Sequence, residues 1–123
     1  MTRNGEKDCA ITGIGMSEVS RNASKTAMGL TIDACLEAIE DAGLKRSDID
    51  GVSSYPGGDN NGSGFSPVSV PALMDALRLQ PDWYSGGGEN PGQLGAVFNA
   101  IAAICAGYCN HVLVFRTVYE ASA

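Results

Sequence analysis

Apolar positions along the chain follow two different periods. Between residues 25 and 42, Met28, Ile32, Cys35, Leu36 and Ile39 recur at spacings of three and four, which predicts a helix with one buried face. Asp33, Glu37, Glu40 and Asp41 lie on or near its other side, as a solvated surface. Ser24 is placed to cap its start, and Gly43 with Leu44 to end it through a left-handed turn and a hydrophobic contact. Residues 94–106 carry a single polar side chain, Asn99, before Gly107 offers a stop. That run predicts a helix apolar nearly all round, hence buried on every face. A third helix is expected over residues 71–79, with Pro71 in its first turn.

Strands are expected at residues 9–14, 51–55, 82–85 and 111–118. The unbroken Val112-Leu113-Val114-Phe115 run predicts a strand covered on both faces. Residues 47–50 make a turn. Residues 56–67, rich in Gly, Asn, Ser and Asp, exceed an ordinary connection and predict a functional or mobile loop. Strands alternating with helices predict a layered α/β fold with a mostly parallel sheet, in one domain. So few elements cannot cover a helix that is apolar all round. A second subunit or the rest of a larger protein is expected to do so.

Composition narrows the function. A 44% hydrophobic content with 18% charge excludes disorder, and a net charge of −6 argues against nucleic acid or an anionic membrane as partner. No apolar run is long enough for a membrane span, and residues 1–8 hold no signal-peptide core, so a cytoplasmic protein is expected. Cys9, Cys35, Cys105 and Cys109 form no C-x-x-C pair, and His111 is the single histidine, so reduced thiols and no metal site are expected. The sequons at Asn22 and Asn61 carry no weight in such a chain. Gly13-Ile14-Gly15 is followed by Glu18 where a dinucleotide fingerprint needs glycine. Its glycines are therefore expected to serve a tight exit from the first strand.

The candidate chemistry lies at residues 83–93, Trp-Tyr-Ser-Gly-Gly-Gly-Glu-Asn-Pro-Gly-Gln, where a short strand turns into the apolar helix. A glycine-rich turn at a helix N-terminus gathers unpaired backbone N–H groups and a positive dipole end, which suit an anion or a carbonyl oxygen. The alternative is a tight turn whose glycines only permit positive φ. Glu89 and Tyr84 are candidate acid–base groups, and Tyr84 with Trp83 are equally candidates for packing at a subunit interface.

Ala10-Ile11-Thr12-Gly13-Ile14-Gly15, Ala38-Ile39-Glu40-Asp41-Ala42-Gly43-Leu44 and Asp48-Ile49-Asp50-Gly51-Val52 resemble the opening of a thiolase-superfamily chain. Gly92-Gln93-Leu94-Gly95-Ala96-Val97 through Gly107, with residues 111–118, resembles the nucleophile helix and following strand of that fold. Pro71-Ala72-Leu73-Met74, Asp82-Trp83-Tyr84 and Phe115-Arg116-Thr117-Val118-Tyr119 are similar to the lipid-transfer-protein-type, thiolase-like aldolases of sterol side-chain degradation. The resemblance implies that residues 1–123 are the N-terminal half of a thiolase-like layered domain with a buried central helix. It places Asn90 at about the position of the thiolase nucleophilic cysteine. Asparagine cannot form an acyl thioester, so retro-aldol cleavage of a β-hydroxyacyl-CoA is implied in place of thiolysis. Asn90 is then an oxyanion or orienting residue, and Gly87, Gly88, Asn90 and Gly92 contact substrate. The catalytic acid and base are expected outside these residues, and the fragment alone is expected to be inactive.

No metal or resident cofactor is implied, with a coenzyme A thioester as substrate. The partners implied are a second copy paired through residues 81–85, and an acyl-CoA hydratase or an OB-fold/zinc-ribbon protein. A non-catalytic interaction subunit of the same fold, or a degradative acyl-CoA thiolase, are the competing readings.

Overall fold

The computed structural model describes residues 5–20, 25–54, 67–86 and 93–118. Three helices, α1 (Ala27–Asp41), α2 (Val70–Leu77) and α3 (Gln93–Cys105), alternate with three strands, β1 (Gly51–Ser54), β2 (Trp83–Ser85) and β3 (Val112–Phe115). The sheet is wholly parallel, in the order β2-β1-β3. β1 is the centre, and all four of its residues are buried. Its side chains alternate between faces. Val52 joins an apolar cluster with Cys35 and Ile39 of α1 and Leu73 and Leu77 of α2. Ser53 points the opposite way, and its hydroxyl donates to the Ala96 carbonyl of α3 at 2.8 Å. α1 and α2 thus cover one face of the sheet and α3 the other.

The three helices end alike. Leu44 N–H donates to Ile39 and Gly43 N–H to Glu40; Leu79 and Arg78 repeat the pair on Met74 and Asp75; Tyr108 and Gly107 repeat it on Ala103 and Ile104. This six-to-one and five-to-two pattern satisfies the last carbonyls and requires a left-handed residue. Gly43 (φ 73°) and Gly107 (φ 85°) supply it without strain, while Arg78 adopts φ 55° against its own Cβ. The stops expected at Gly43 and Gly107 hold, and Leu44 packs on the core as expected.

Starts differ more. Thr26, not Ser24, caps α1 by accepting from Gly29 N–H at 3.1 Å; Ser24 lies outside the described residues. Ser69 caps α2, which runs Val70–Leu77 where residues 71–79 were expected, with Pro71 inside the first turn.

Asp50 joins the three strands at their amino ends. Its N–H donates to the His111 carbonyl, and its own carbonyl accepts from Asp82 and Trp83. Its carboxylate accepts from Asn110 N–H at 2.9 Å and His111 N–H at 2.7 Å.

One expectation fails. Residues 9–14 form no strand: the segment runs extended beside α1, outside the sheet. Gly13 and Gly15 seat it there. A Cβ on Gly13 would lie 2.4 Å from the Ala38 carbonyl oxygen, and one on Gly15 would lie 2.1 Å from that of Ala34. These glycines therefore allow contact with a helix backbone and do not serve a strand exit. Ile11, Ile14 and Met16 are left mainly exposed.

The described elements cover α3 on one face only, and the second subunit or further chain expected to cover the rest is not among them. Its small residues Gly95, Ala96, Ala100 and Ala103 are buried, while Leu94 and Phe98 are 59% and 50% exposed and Ile101 is half-buried. Small side chains let the helix axis approach the sheet closely on one face, and the described elements reach no further round it. β3 shows the same shortfall, with Leu113 and Phe115 buried but Val112 and Val114 only half-buried. Among the described residues, no helix is long and apolar enough to cross a membrane.

Candidate functional site

The first turn of α3 is fastened to the carboxyl ends of β1 and β3. Gln93 Nε2 donates to the Phe115 carbonyl at 3.1 Å, and Ser54 Oγ donates to the same oxygen at 2.7 Å. With the Ser53–Ala96 bond one turn on, two polar contacts fix where α3 begins relative to the sheet, and the Ser54 bond ties the two strands that receive them. Parallel α/β sheets bind ligands beyond the carboxyl ends of their strands. The N-terminus of α3 stands at that edge. Ser53 and Ser54 were not singled out from the sequence, where nothing in the expected strand over residues 51–55 marks their partners.

Gly87, Gly88, Glu89, Asn90 and Gly92 lie outside the described residues, so the glycine turn itself has no described geometry. Tyr84 is 55% exposed on β2, and Trp83 beside it is half-buried. Both stand on a strand that pairs only with β1 among the described residues.

Three of the thiols are shifted away from nucleophilic character. Burial pushes the Cys35 thiol up from 9.0 to about 12. Cys109 is raised by burial and then by the charges of Asp50 and Asp82. Cys9 is raised by burial first and then by its hydrogen bond with Cys105. Activated cysteines show the reverse shift. Cys105 ends a 13-residue helix, about 18 Å from the α3 start at 1.5 Å per residue. No group of three potential metal ligands occurs among the described residues.

A cavity of about 1400 Å³ separates the extended segment from the outer edge of β3, with Ala34 and Ala38 of α1 and Val97 and Ile101 of α3 in its walls. It exceeds an ordinary small-ligand pocket, and its lining is mainly apolar, with polar side chains that include Thr31, Asn110, His111, Arg116 and Thr117. Among the described residues of the proposed turn-and-helix site, it reaches Gln93.

No family model matches the chain. Over 113 residues, 92% of its length, the chain is 29% identical to a 17-hydroxy-3-oxo-4-pregnene-20-carboxyl-CoA lyase of Mycobacterium tuberculosis. Over the same span it is 30% identical to a steroid side-chain-cleaving aldolase of Thermomonospora curvata. A solved structure, an Ltp2-ChsH2(DUF35) aldolase, superposes on 93% of the chain with a TM-score of 0.77 at 29% identity. The chain spans only 28% and 27% of the two curated relatives and 28% of the solved chain. What it shares with these carbon–carbon lyases is therefore the part that holds the parallel sheet and the α3 N-terminus.

Proposed function

We propose that these residues are the N-terminal part of a thiolase-like retro-aldolase that cleaves a β-hydroxyacyl-CoA side chain of a steroid to a ketone and a short acyl-CoA. The observation carrying this reading is similarity along 92% of the chain to two lyases named for steroid side-chain substrates. In the reaction a base removes the β-hydroxyl proton and the Cα–Cβ bond breaks as the ketone forms. The electron pair passes into the thioester enolate, which is then protonated. The protein must hold the enolate oxygen, and each well-placed donor contributes about 3 kcal/mol. Backbone N–H groups of Gly87, Gly88 and Gly92 and the Asn90 amide are the proposed donors. Their support is the α3 N-terminus, fixed at the carboxyl edge of the sheet through Gln93 and Ser54. No step requires a thiolate, which accords with the raised Cys9, Cys35 and Cys109 thiols.

The test is rapid quenching of the complete enzyme with a steroid β-hydroxyacyl-CoA, followed by mass spectrometry. Ketone and short acyl-CoA without any acylated residue are expected. An acyl group on Cys35, Cys105 or Cys109 overturns the aldolase reading in favour of a thiolase. In the same reading β2 pairs with its twofold mate in a homodimer, Trp83 and Tyr84 lying at the contact. Trp83→Ala should shift sedimentation toward monomer, and identical sedimentation of both proteins as monomers rejects the pairing. An OB-fold/zinc-ribbon or hydratase partner belongs to the same proposal, and co-purification with the complete protein tests it. Recovery of the protein without either rejects that part.

A further inference from the structure

Four polar side chains are buried among the described residues, Thr31, Ser53, Ser54 and Thr117, and all four stand at one edge of the fold. Ser53 and Ser54 end β1, Thr117 lies two residues past β3, and Thr31 sits in the second turn of α1. Thr31 donates to the Ala27 carbonyl at 2.8 Å, so the bond that joins it to Thr117 takes the Thr117 proton. Ser53 donates to α3 and Ser54 to the Phe115 carbonyl, which Gln93, the first residue of α3, also engages. Side chains alternate along a strand, so Ser53 and Ser54 leave β1 on opposite faces. Ser54 therefore holds the Phe115 carbonyl from the α1–α2 side and Gln93 holds it from the α3 side. A paired hydroxyl in a core adds little net stability over an apolar residue of its shape. What it adds to packing is a fixed distance and direction. Elsewhere the described core is apolar, so this edge is where the fold specifies geometry.

We propose, resting on the function given above, that Gln93 and Ser54 are positioning residues for the retro-aldol step. Through the shared Phe115 carbonyl they set where the first turn of α3 stands at the carboxyl edge of the sheet. Gly92, one of the proposed donors, precedes Gln93 in the chain, so a shift of this turn moves a donor relative to the enolate oxygen. A donor acts within about 2.7–3.1 Å of that oxygen as charge gathers on it. Misplacement by about 1 Å can cost about 100-fold in rate. Binding draws on the steroid and the coenzyme A as well, so KM is not tied to this turn. Ser54 acts at one remove: it holds the carbonyl, and Gln93 holds the helix to it.

Steady-state kinetics of the complete enzyme with a steroid β-hydroxyacyl-CoA test this. Gln93→Met keeps the length and helix preference of the side chain and removes its donor. Its kcat should fall about 10- to 100-fold, with KM moved by less than about twofold. Ser54→Ala leaves the carbonyl to Gln93, so a smaller loss of kcat is expected. The double variant, which alone leaves the carbonyl without either donor, should lose more than the product of the two single losses. Cys35→Ala, a cavity in the apolar cluster under α1, should lower the denaturant midpoint and leave kcat unchanged. Parental kcat in Gln93→Met, a rise in KM alone, single losses that simply multiply in the double variant, or a fall in kcat that Cys35→Ala shares would each overturn the positioning role. A parent enzyme that releases no ketone and no short acyl-CoA is a separate outcome, which removes the proposed function and this role with it.

Discussion

Gly15→Ala tests how the extended segment is held. The new Cβ would stand 2.1 Å from the Ala34 carbonyl oxygen, 2.6 Å from the Ala38 nitrogen and 3.0 Å from the Glu37 Cβ. The first two are helix backbone and cannot turn aside. An ordinary contact begins near 3.4 Å, so the segment must retreat by about 1.3 Å. Overpacking of this kind costs about 1–3 kcal/mol. Little resists the retreat, because Ile11, Ile14 and Met16 bury almost nothing. The bond that gives way is Ile14 N–H to Asp41 Oδ2, 2.9 Å and near the surface. A cost of about 2 kcal/mol is therefore expected, which opens the Ile14 amide to exchange about 30-fold more often, at 1.4 kcal/mol per tenfold. Hydrogen exchange read at Ile14, with amides of β1 as internal reference, measures this. Unchanged Ile14 exchange would refute the close approach, since no smaller movement accommodates the methyl group.

Asp50→Ala removes the acceptor for Asn110 and His111 N–H while leaving the backbone bonds of β1 intact. Hydrogen bonds to charged groups contribute about 1.5–3 kcal/mol, and the solvent nearby favours the lower end; equal denaturant midpoints for variant and parent would rule this out. Cys35 carries a pH dependence. Its folded thiol, near 12, lies above the ordinary 9.0, so the folded state keeps a proton the unfolded state loses, and stability present below pH 9 declines from there to about 12. Cys35→Ala should remove one proton's worth of that alkaline slope, and an unaltered slope would show that the thiol is not held protonated.

The sequence by itself determined the elements whose signals are local. Spacings of three and four marked α1, Gly43 and Gly107 marked the ends of α1 and α3, and Pro71 marked the first turn of α2. Each signal acts through bonds within one turn of the chain. Alternation of strand and helix likewise announced a parallel sheet, which β1, β2 and β3 form. Only tertiary structure decided what lies next to what. Gly13 and Gly15 look alike whether they end a strand or touch a helix, and only the proximity of Ala34 and Ala38 distinguishes the two. The strand expected over residues 9–14 needs a ladder partner, and the segment runs beside α1 with a cavity between it and β3. The apolar run of α3 announced a helix that needs cover all round, and which face this chain itself covers depends on the neighbours that stand around it. Gly95, Ala96, Ala100 and Ala103 meet the sheet, and Leu94 and Phe98 meet none of the described elements closely enough to be covered. The contacts of Ser53 and Gln93 were illegible for the same reason: a hydrogen bond across 43 or 22 positions leaves no periodic trace in the chain that makes it.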